Sequence, residues 1–410
     1  MSLIRILLYV PVPESQAFLQ VKRSVLQEVK SFLKRHWEIE KSVRSGNLCL
    51  SDYHHIRTLS SNRGDIAIGT AVKEGLVRAF REDGCEITVV GWDSLTPTLA
   101  SWVNDEFDLF VIGGGGYIFL DSGGFLNHRQ QDIEFLKNIT IPIVAHGIGL
   151  NRLMYEKTID VDAFATLPTE TKNYLNHFSD VVSEISVRDL PTQQLFQRAA
   201  NRDSALVGDP ALFLSLDKIS SNLSKVNSEV KGKVGINVAA HGWRALKVLE
   251  QVMPVLEPTF FALESKSSNG LYYFLHDDLE YPVVEYLRRR GLPFGLVDGL
   301  PEVLSEGYRS MDFVVSQMLH SSILAFSVGT PAINIAYDLK STAFFELFNL
   351  SEYSIPWNQL THERLQYSID RMRCSLQEVK ATITERRNVL LTEQERFLDR
   401  VVKLTGTVSI

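Results

Sequence analysis

Short apolar strands that alternate with helical stretches constrain this chain more than any other feature. A first strand lies within MSLIRILLYVPVP, and from Asn62 the order is turn, helix, strand: Asn62-Arg63-Gly64-Asp65, a helical stretch Ile66–Phe80, then a strand Glu86–Trp92. Further strands are predicted at Asp108–Ile112, Ile141–His146, Glu184–Val187 and Ala205–Val207. Continuous apolar runs mark strands buried on both faces, so the pattern predicts a parallel sheet covered by helices on each side. The alternation stops between Leu214 and Lys231, where Ser, Lys and Asn dominate, and then restarts. The second series has strands at Val234–Val238, Thr259–Leu263, Pro293–Val297, Asp312–Val315 and Ala332–Ile335, with a helix at Val283–Arg290.

Two series separated by a polar stretch predict two α/β domains, each a Rossmann-like doubly wound sheet. The expected boundaries are 1–215 for the first domain, 216–232 for the linker, 233–360 for the second domain and 361–410 for C-terminal helices. A helical insertion is expected at about 14–57, where Phe18, Val21, Val25, Val29, Phe32 and Leu33 fall at helical spacing among many charges.

Composition excludes several classes. A chain of 410 residues, 45% hydrophobic and 22% charged, is long enough for two cores. The net charge of −7 argues against a broad grip on nucleic acid or anionic lipid. Cys49, Cys85 and Cys374 lie far apart without metal-ligand spacing, which fits a reduced, cytoplasmic compartment and predicts no metal. No transmembrane segment is expected. Pro11 and Pro13 cut off the first apolar run, and Gly329-Thr330-Pro331 divides the uncharged stretch Ser321–Tyr337 into a helix and a strand. Peripheral membrane association and oligomeric state stay open.

Doubly wound sheets bind ligands beyond the C-terminal ends of their strands, so polar residues just after strands are the candidates. In the run Asp312–Lys340, Ser316, His320 and Ser321 fall where a strand turns into a helix. Unpaired amides at such a turn suit a phosphate or carboxylate, and His320 can give a proton to what binds there; a histidine also occupies helix starts for packing reasons. Gly114, Gly115 and Gly116, in the run of four glycines after DLFVI, permit close approach to a ligand or a tight turn. Asn62, Gly64 and Asp65 form a helix entry that can hold an anion or a hydroxyl, or simply cap the helix. Arg188, at the end of a buried strand, suits an anion or pairs internally with Asp189. Asp209 binds a hydroxyl or orders its turn. In the second series, His241 and Arg244 follow VGINV, and His276 precedes Asp277 and Asp278; these types suit a sugar acceptor or a helix start.

Taken in order, NRGD (62–65), VIGGGG (111–116), SVRD (186–189), GDPAL (208–212) and the segment from Ser316 to Lys340 resemble the polysaccharide pyruvyl transferase family, over roughly residues 60 to 345. The resemblance implies a GT-B-like arrangement, with the two domains facing across a cleft. It implies transfer of the enolpyruvyl unit of phosphoenolpyruvate onto two hydroxyls of one sugar of a cell-surface glycan, free or lipid-linked, with no cofactor beyond that co-substrate. By position, His320 is similar to the family's catalytic histidine and Arg188 to its anion-binding arginine. The chain departs at Met318, where many members carry arginine; Arg244, Arg309 and Lys340 are the candidates to replace it. Two other readings share the scaffold: a GT-B glycosyltransferase using a nucleotide sugar, and a catalytically silent binding protein.

Overall fold

Two parallel six-stranded sheets form the frame of the computed structural model. The structure describes residues 3–12, 62–81, 84–92, 96–119, 132–151, 169–214, 232–240, 242–267 and 270–406. The insertion expected at 14–57, the linker at 216–231 and His241 lie outside the described residues, as does the side chain of Arg244.

The first sheet comprises β1 (Ile4–Val10), β2 (Cys85–Gly91), β3 (Leu109–Phe119), β4 (Ile143–Asn151), β5 (Glu184–Val187) and β6 (Ala205–Leu206), in spatial order β2-β1-β3-β4-β5-β6. The second comprises β7 (Val234–Asn237), β8 (Leu271–Phe274), β9 (Gly295–Val297), β10 (Phe313–Ser316), β11 (Ala332–Ala336) and β12 (Ser354–Pro356), in order β12-β11-β10-β7-β8-β9. Every pairing is parallel. Each order turns back on itself beside its first strand, the doubly wound pattern that opens a crevice at the strand ends.

The helices that bear on the site are α1 (Arg63–Phe80), α2 (Ala100–Glu106), α3 (Thr169–Val181), α4 (Leu190–Ala200), α5 (Gly242–Lys266), α6 (Tyr281–Arg289), α7 (Pro301–Arg309), α8 (Leu319–Ser327), α9 (Leu339–Leu347) and α10 (His362–Leu404). All nine residues of α8 are buried, as its run of small and apolar residues requires. One apolar core extends through α1 and α8 into both halves, from Ile6 and Ile68 to Phe326 and Ile333. The return helix α10 reinforces that contact. Near its start Ser375 bonds Tyr353 beside the second sheet, and near its end Phe397 stacks on His146 of β4 at 5.1 Å while Arg400 pairs with Glu184 at 3.1 Å.

The structure departs from the sequence expectations in two places. Thr259–Leu263 is no strand but part of α5, which continues through Pro254 and Pro258. The prolines and the Phe260-Phe261 pair suggest a break and a strand; burial of Leu256, Phe260 and Leu263 on the sheet outweighs that preference. The strand that pairs in its stead is β8. Second, the four glycines do not end β3. They carry it onward through a register irregularity between Gly115 and Ile118, with Gly114 at φ 62°. Glycine is required there because a Cβ on Gly114 would meet Ile68 Cγ2 of α1 at 2.2 Å.

Candidate active site

The two halves meet where α1 and α8 begin. Asn62 caps α1: its Oδ1 accepts the Gly64 amide at 3.0 Å and its Nδ2 donates to Asp65 at 2.9 Å. The amide of Arg63 then donates to the carbonyl of His276 in the second half at 2.9 Å. The Arg63 guanidinium pairs across the seam with Asp278 and Asp298, both at 2.9 Å. One residue further, the helix must lack a side chain. A Cβ on Gly64 would stand 2.0 Å from Nδ1 of His320. The imidazole of His320, 6% exposed, therefore lies directly against the first turn of the opposite half's helix.

A buried hydrogen-bonded network holds α8 in place. Asn237, at the end of β7, accepts the Met318 amide at 3.1 Å and donates to the Phe274 carbonyl at 2.9 Å and to Glu280 at 3.0 Å. Gln317 accepts the Ala239 amide at 3.1 Å. Glu280 is wholly buried, and burial pushes its carboxyl well above the ordinary range. His276 Nε2 and the Tyr308 hydroxyl are 2.7 Å apart, and that hydroxyl is 2.7 Å from Ser321 Oγ. Burial lowers the His276 imidazole to about 3, with the Arg63 charge adding to the effect, so it stays uncharged. Ser316 Oγ lies 2.9 Å from Ser322 Oγ and within 3.3 Å of the Asn334 amide nitrogen. Ser316, Ser321 and His276 thus lie behind the junction with internal partners, supporting α8 from below.

The first half places charge at its strand ends. Arg188, 4% exposed, donates to Asp189 at 3.3 Å and to the Leu150 carbonyl at 3.2 Å, and its Nη1 stands 3.7 Å from Asp209 Oδ2. Its guanidinium fills the space that a side chain on Gly149 would occupy, since a Cβ there would be 2.0 Å from Nε. Asp189 caps α4 through the Thr192 amide, and Asp209 caps the turn at Pro210–Phe213 through the Ala211 amide. Burial raises the Asp209 carboxyl to about 6 against the pull of Arg188, and the charge of Asp65 adds to the rise. Of the two readings open for Arg188, an anion site or an internal pair, the structure shows the internal pair. A guanidinium this buried requires carboxylates around it, and Asp189 and Asp209 enclose it within its own half. It reaches the junction through Asp209 and Asp65.

Among the sequence candidates, the structure brings Asn62, Gly64, Asp65 and His320 to one place, with Asp209 and Arg188 behind Asp65. Gly114, Gly115 and Gly116 lie along β3 beneath α1. The two described candidates to replace the missing arginine do not converge there: Lys340 pairs with Asp338 at 3.2 Å, and Arg309 precedes β10 whereas His320 follows it, which puts them at opposite ends of that strand. Met318 is buried, with the Tyr337 hydroxyl 3.9 Å from its sulfur. Sequence reasoning missed Arg63, Asn237, Gln317, Glu280 and Tyr308. Asn237 and Gln317 carried a readable signal as amides closing apolar strands; Glu280 and Tyr308 carried none. Among the described residues no group of His, Cys, Asp and Glu could hold a metal ion, and no helix is long and apolar enough to cross a membrane.

Two doubly wound domains whose helices meet at the strand ends define a GT-B-like protein, and solved structures agree. The chain is similar to Staphylococcus aureus MnaA in its complex with UDP, at 12% identity and a TM-score of 0.53, over 83% of this chain and 94% of that one. It is also similar to a protein from Listeria monocytogenes assigned as a UDP-N-acetylglucosamine 2-epimerase, at 11% identity and a TM-score of 0.54, over 99% of this chain and 98% of that one. At such identities the likeness establishes the fold. A search of curated protein sequences finds no match. Residues 62–338 match the model of the polysaccharide pyruvyl transferase family, so the chain belongs to that family and is a transferase.

Proposed function

We propose that this protein transfers the pyruvyl unit of phosphoenolpyruvate to a glycan sugar as a ketal, with His320 as general acid. The observation that carries the reading is the position of His320: in the first turn of α8, against the side-chain-free first turn of α1, at the seam between the halves. Amides of a helix start favour an anion, and Met318 caps α8 with no side-chain hydrogen bond. A histidine suits proton delivery near neutral pH.

In the proposed reaction, His320 protonates the methylene carbon of the enol, and a sugar hydroxyl adds to the adjacent carbon as it becomes oxocarbenium-like. The carbon–oxygen bond to phosphate then breaks, and a second hydroxyl closes the ketal. Of the two hydroxyl protons released, one restores His320 and the other leaves with phosphate. The hydrogen-bonded network under α8 keeps the imidazole in position. Arg188 and Asp209 act as positioning groups behind Asp65. A cytoplasmic setting fits a phosphoenolpyruvate donor.

The burial of Met318 and the enclosure of Arg188 favour one other reading, a silent scaffold that binds without turnover. Incubation with isotopically labelled phosphoenolpyruvate and a panel of glycans, followed by mass spectrometry, separates the two. Label in a glycan ketal supports the transferase. Stabilisation by uridine nucleotides but not phosphoenolpyruvate, with no ketal formed, would move the assignment to nucleotide-sugar chemistry.

A further inference from the structure

The halves also meet at a second place, at the far ends of the helices that start at His320 and Gly64. There the last turns of α1 and α8 border a cavity of about 550 Å³, which α10 closes from one side. Three guanidiniums line it, Arg78 from the first half, Arg309 from the second and Arg387 from α10, against a single carboxylate, Glu395. Phe213 and Phe326 supply apolar wall. Since Arg309 precedes β10 and His320 follows it, the cavity lies at the opposite end of the strands of the second sheet from the proposed active site.

The cations of this cavity outnumber the acids set against them. Arg309 pairs with Glu306 at 3.1 Å, but among the described residues neither Arg78 nor Arg387 pairs with a carboxylate. Arg387 donates its Nε to the Leu212 carbonyl at 3.1 Å, which anchors the side chain and leaves its two terminal amino groups to face a ligand. Burial and the nearby Arg309 charge both lower its pKa from the ordinary value, so like charges from different elements are held together. Arg78 and Arg309 sit in last helical turns, where a cation complements the helix dipole. Arg387 is in the interior of α10, and that explanation does not extend to it.

We propose that this cavity binds a phosphorylated small molecule whose remaining part is apolar or flat, and that the ligand ties the two halves together from behind. The volume is that of a small-molecule site. Guanidiniums are the side chains best matched to phosphate oxygens, and the phenylalanines suit a ring or hydrocarbon. Because the phosphate would sit between cations of both halves and of the return helix, its binding favours one relative placement of the halves. This site does not depend on the reaction proposed at His320.

The test is calorimetric titration of the full chain with phenyl phosphate, and with inorganic phosphate as the second probe. Phenyl phosphate should bind the wild type more tightly than inorganic phosphate does. Arg309→Gln and Arg387→Gln should each weaken it by about tenfold or more, the usual size of a lost charge-assisted hydrogen bond. Thr384→Trp, on the exposed face of α10 that borders the cavity, should fill the space and abolish binding while removing no charge. Arg371→Gln, elsewhere on α10 where it pairs with Glu352, should leave the affinity unchanged. Wild-type affinity retained in the Arg309→Gln/Arg387→Gln double variant and in Thr384→Trp, loss of binding in Arg371→Gln, or no binding by the wild type would each overturn the proposal.

Discussion

The first sheet buries an ionic group at its strand ends, whereas beneath α8 the second buries a hydrogen-bonded one and carries its ion pairs elsewhere, Asp338 with Lys340 and both Asp278 and Asp298 with Arg63. Arg188, Asp189 and Asp209 form a buried ionic group whose members depend on one another for compensation. Across the seam, His276, Tyr308, Ser321, Asn237 and Glu280 are linked by hydrogen bonds, and burial lowers the His276 imidazole to about 3 while it pushes the Glu280 carboxyl up. On the second side α8, and His320 with it, is therefore fixed by directional hydrogen bonds rather than by charge pairing.

If the contrast holds, breaking the ionic group costs more than breaking the hydrogen-bonded one. Arg188→Met should destabilise the protein by about 3–5 kcal/mol in urea unfolding at pH 8, because it leaves Asp189 and Asp209 buried without their cation. The loss should be smaller at pH 5, where Asp209, with its carboxyl raised to about 6, becomes neutral. Equal losses at both pH values would contradict the ionic reading.

Acid should next reveal the imidazole that both halves bury uncharged. His146 of the first half is held at about 4 by burial, below the ordinary 6.5. Between those values the unfolded chain takes up a proton that the folded chain refuses, so stability is full above pH 6.5 and falls as pH drops towards 4. The loss amounts to on the order of 3 kcal/mol. Asp209 opposes this trend, since its raised pKa makes the folded form gain as it protonates. Unfolding of His146→Gln against wild type across pH 4–7 isolates the histidine, and parallel curves would refute its burial as a neutral group.

Smaller effects are expected in the second half and at the seam. Tyr308→Phe keeps the ring stacked on Phe274, 3.8 Å between centroids, but removes the hydroxyl that joins His276 to Ser321. A cost of about 1–3 kcal/mol is expected in the same unfolding assay, below that of Arg188→Met. Arg63→Gln removes two ion pairs whose acids are 46% and 34% exposed, so water and salt already weaken them. Its cost should be about 1 kcal/mol and should shrink further in high salt.

How much of this was legible in the sequence follows from what each element depends on. The segment Phe313–Ala336 reads correctly because its strand, turn, helix and strand are each specified locally, by apolar runs and by Gly329-Thr330-Pro331. The run of glycines does not, because a strand without side chains shows no strand preference; its course is fixed by the approach of Ile68, which is remote in sequence. Thr259–Leu263 fails for the reverse reason, since aromatic and β-branched residues mimic a strand within a helix that tertiary burial maintains. For the site, His320, Arg188 and the NRGD turn were visible as polar residues closing apolar strands or opening helices. That Asp209 and Asp189 enclose Arg188, and that Glu280 and Tyr308 lie beneath α8, depends on contacts between elements that no local pattern encodes.

The central claim is that His320 delivers the proton at the seam, and it is tested most directly by turnover of His320→Ala with labelled phosphoenolpyruvate and a glycan that the intact protein pyruvylates. Unfolding curves on both proteins establish that the variant is folded. Ketal formation should be slower by about two to four orders of magnitude, with phosphoenolpyruvate binding largely kept. Ketal formation by folded His320→Ala at close to the wild-type rate would contradict it.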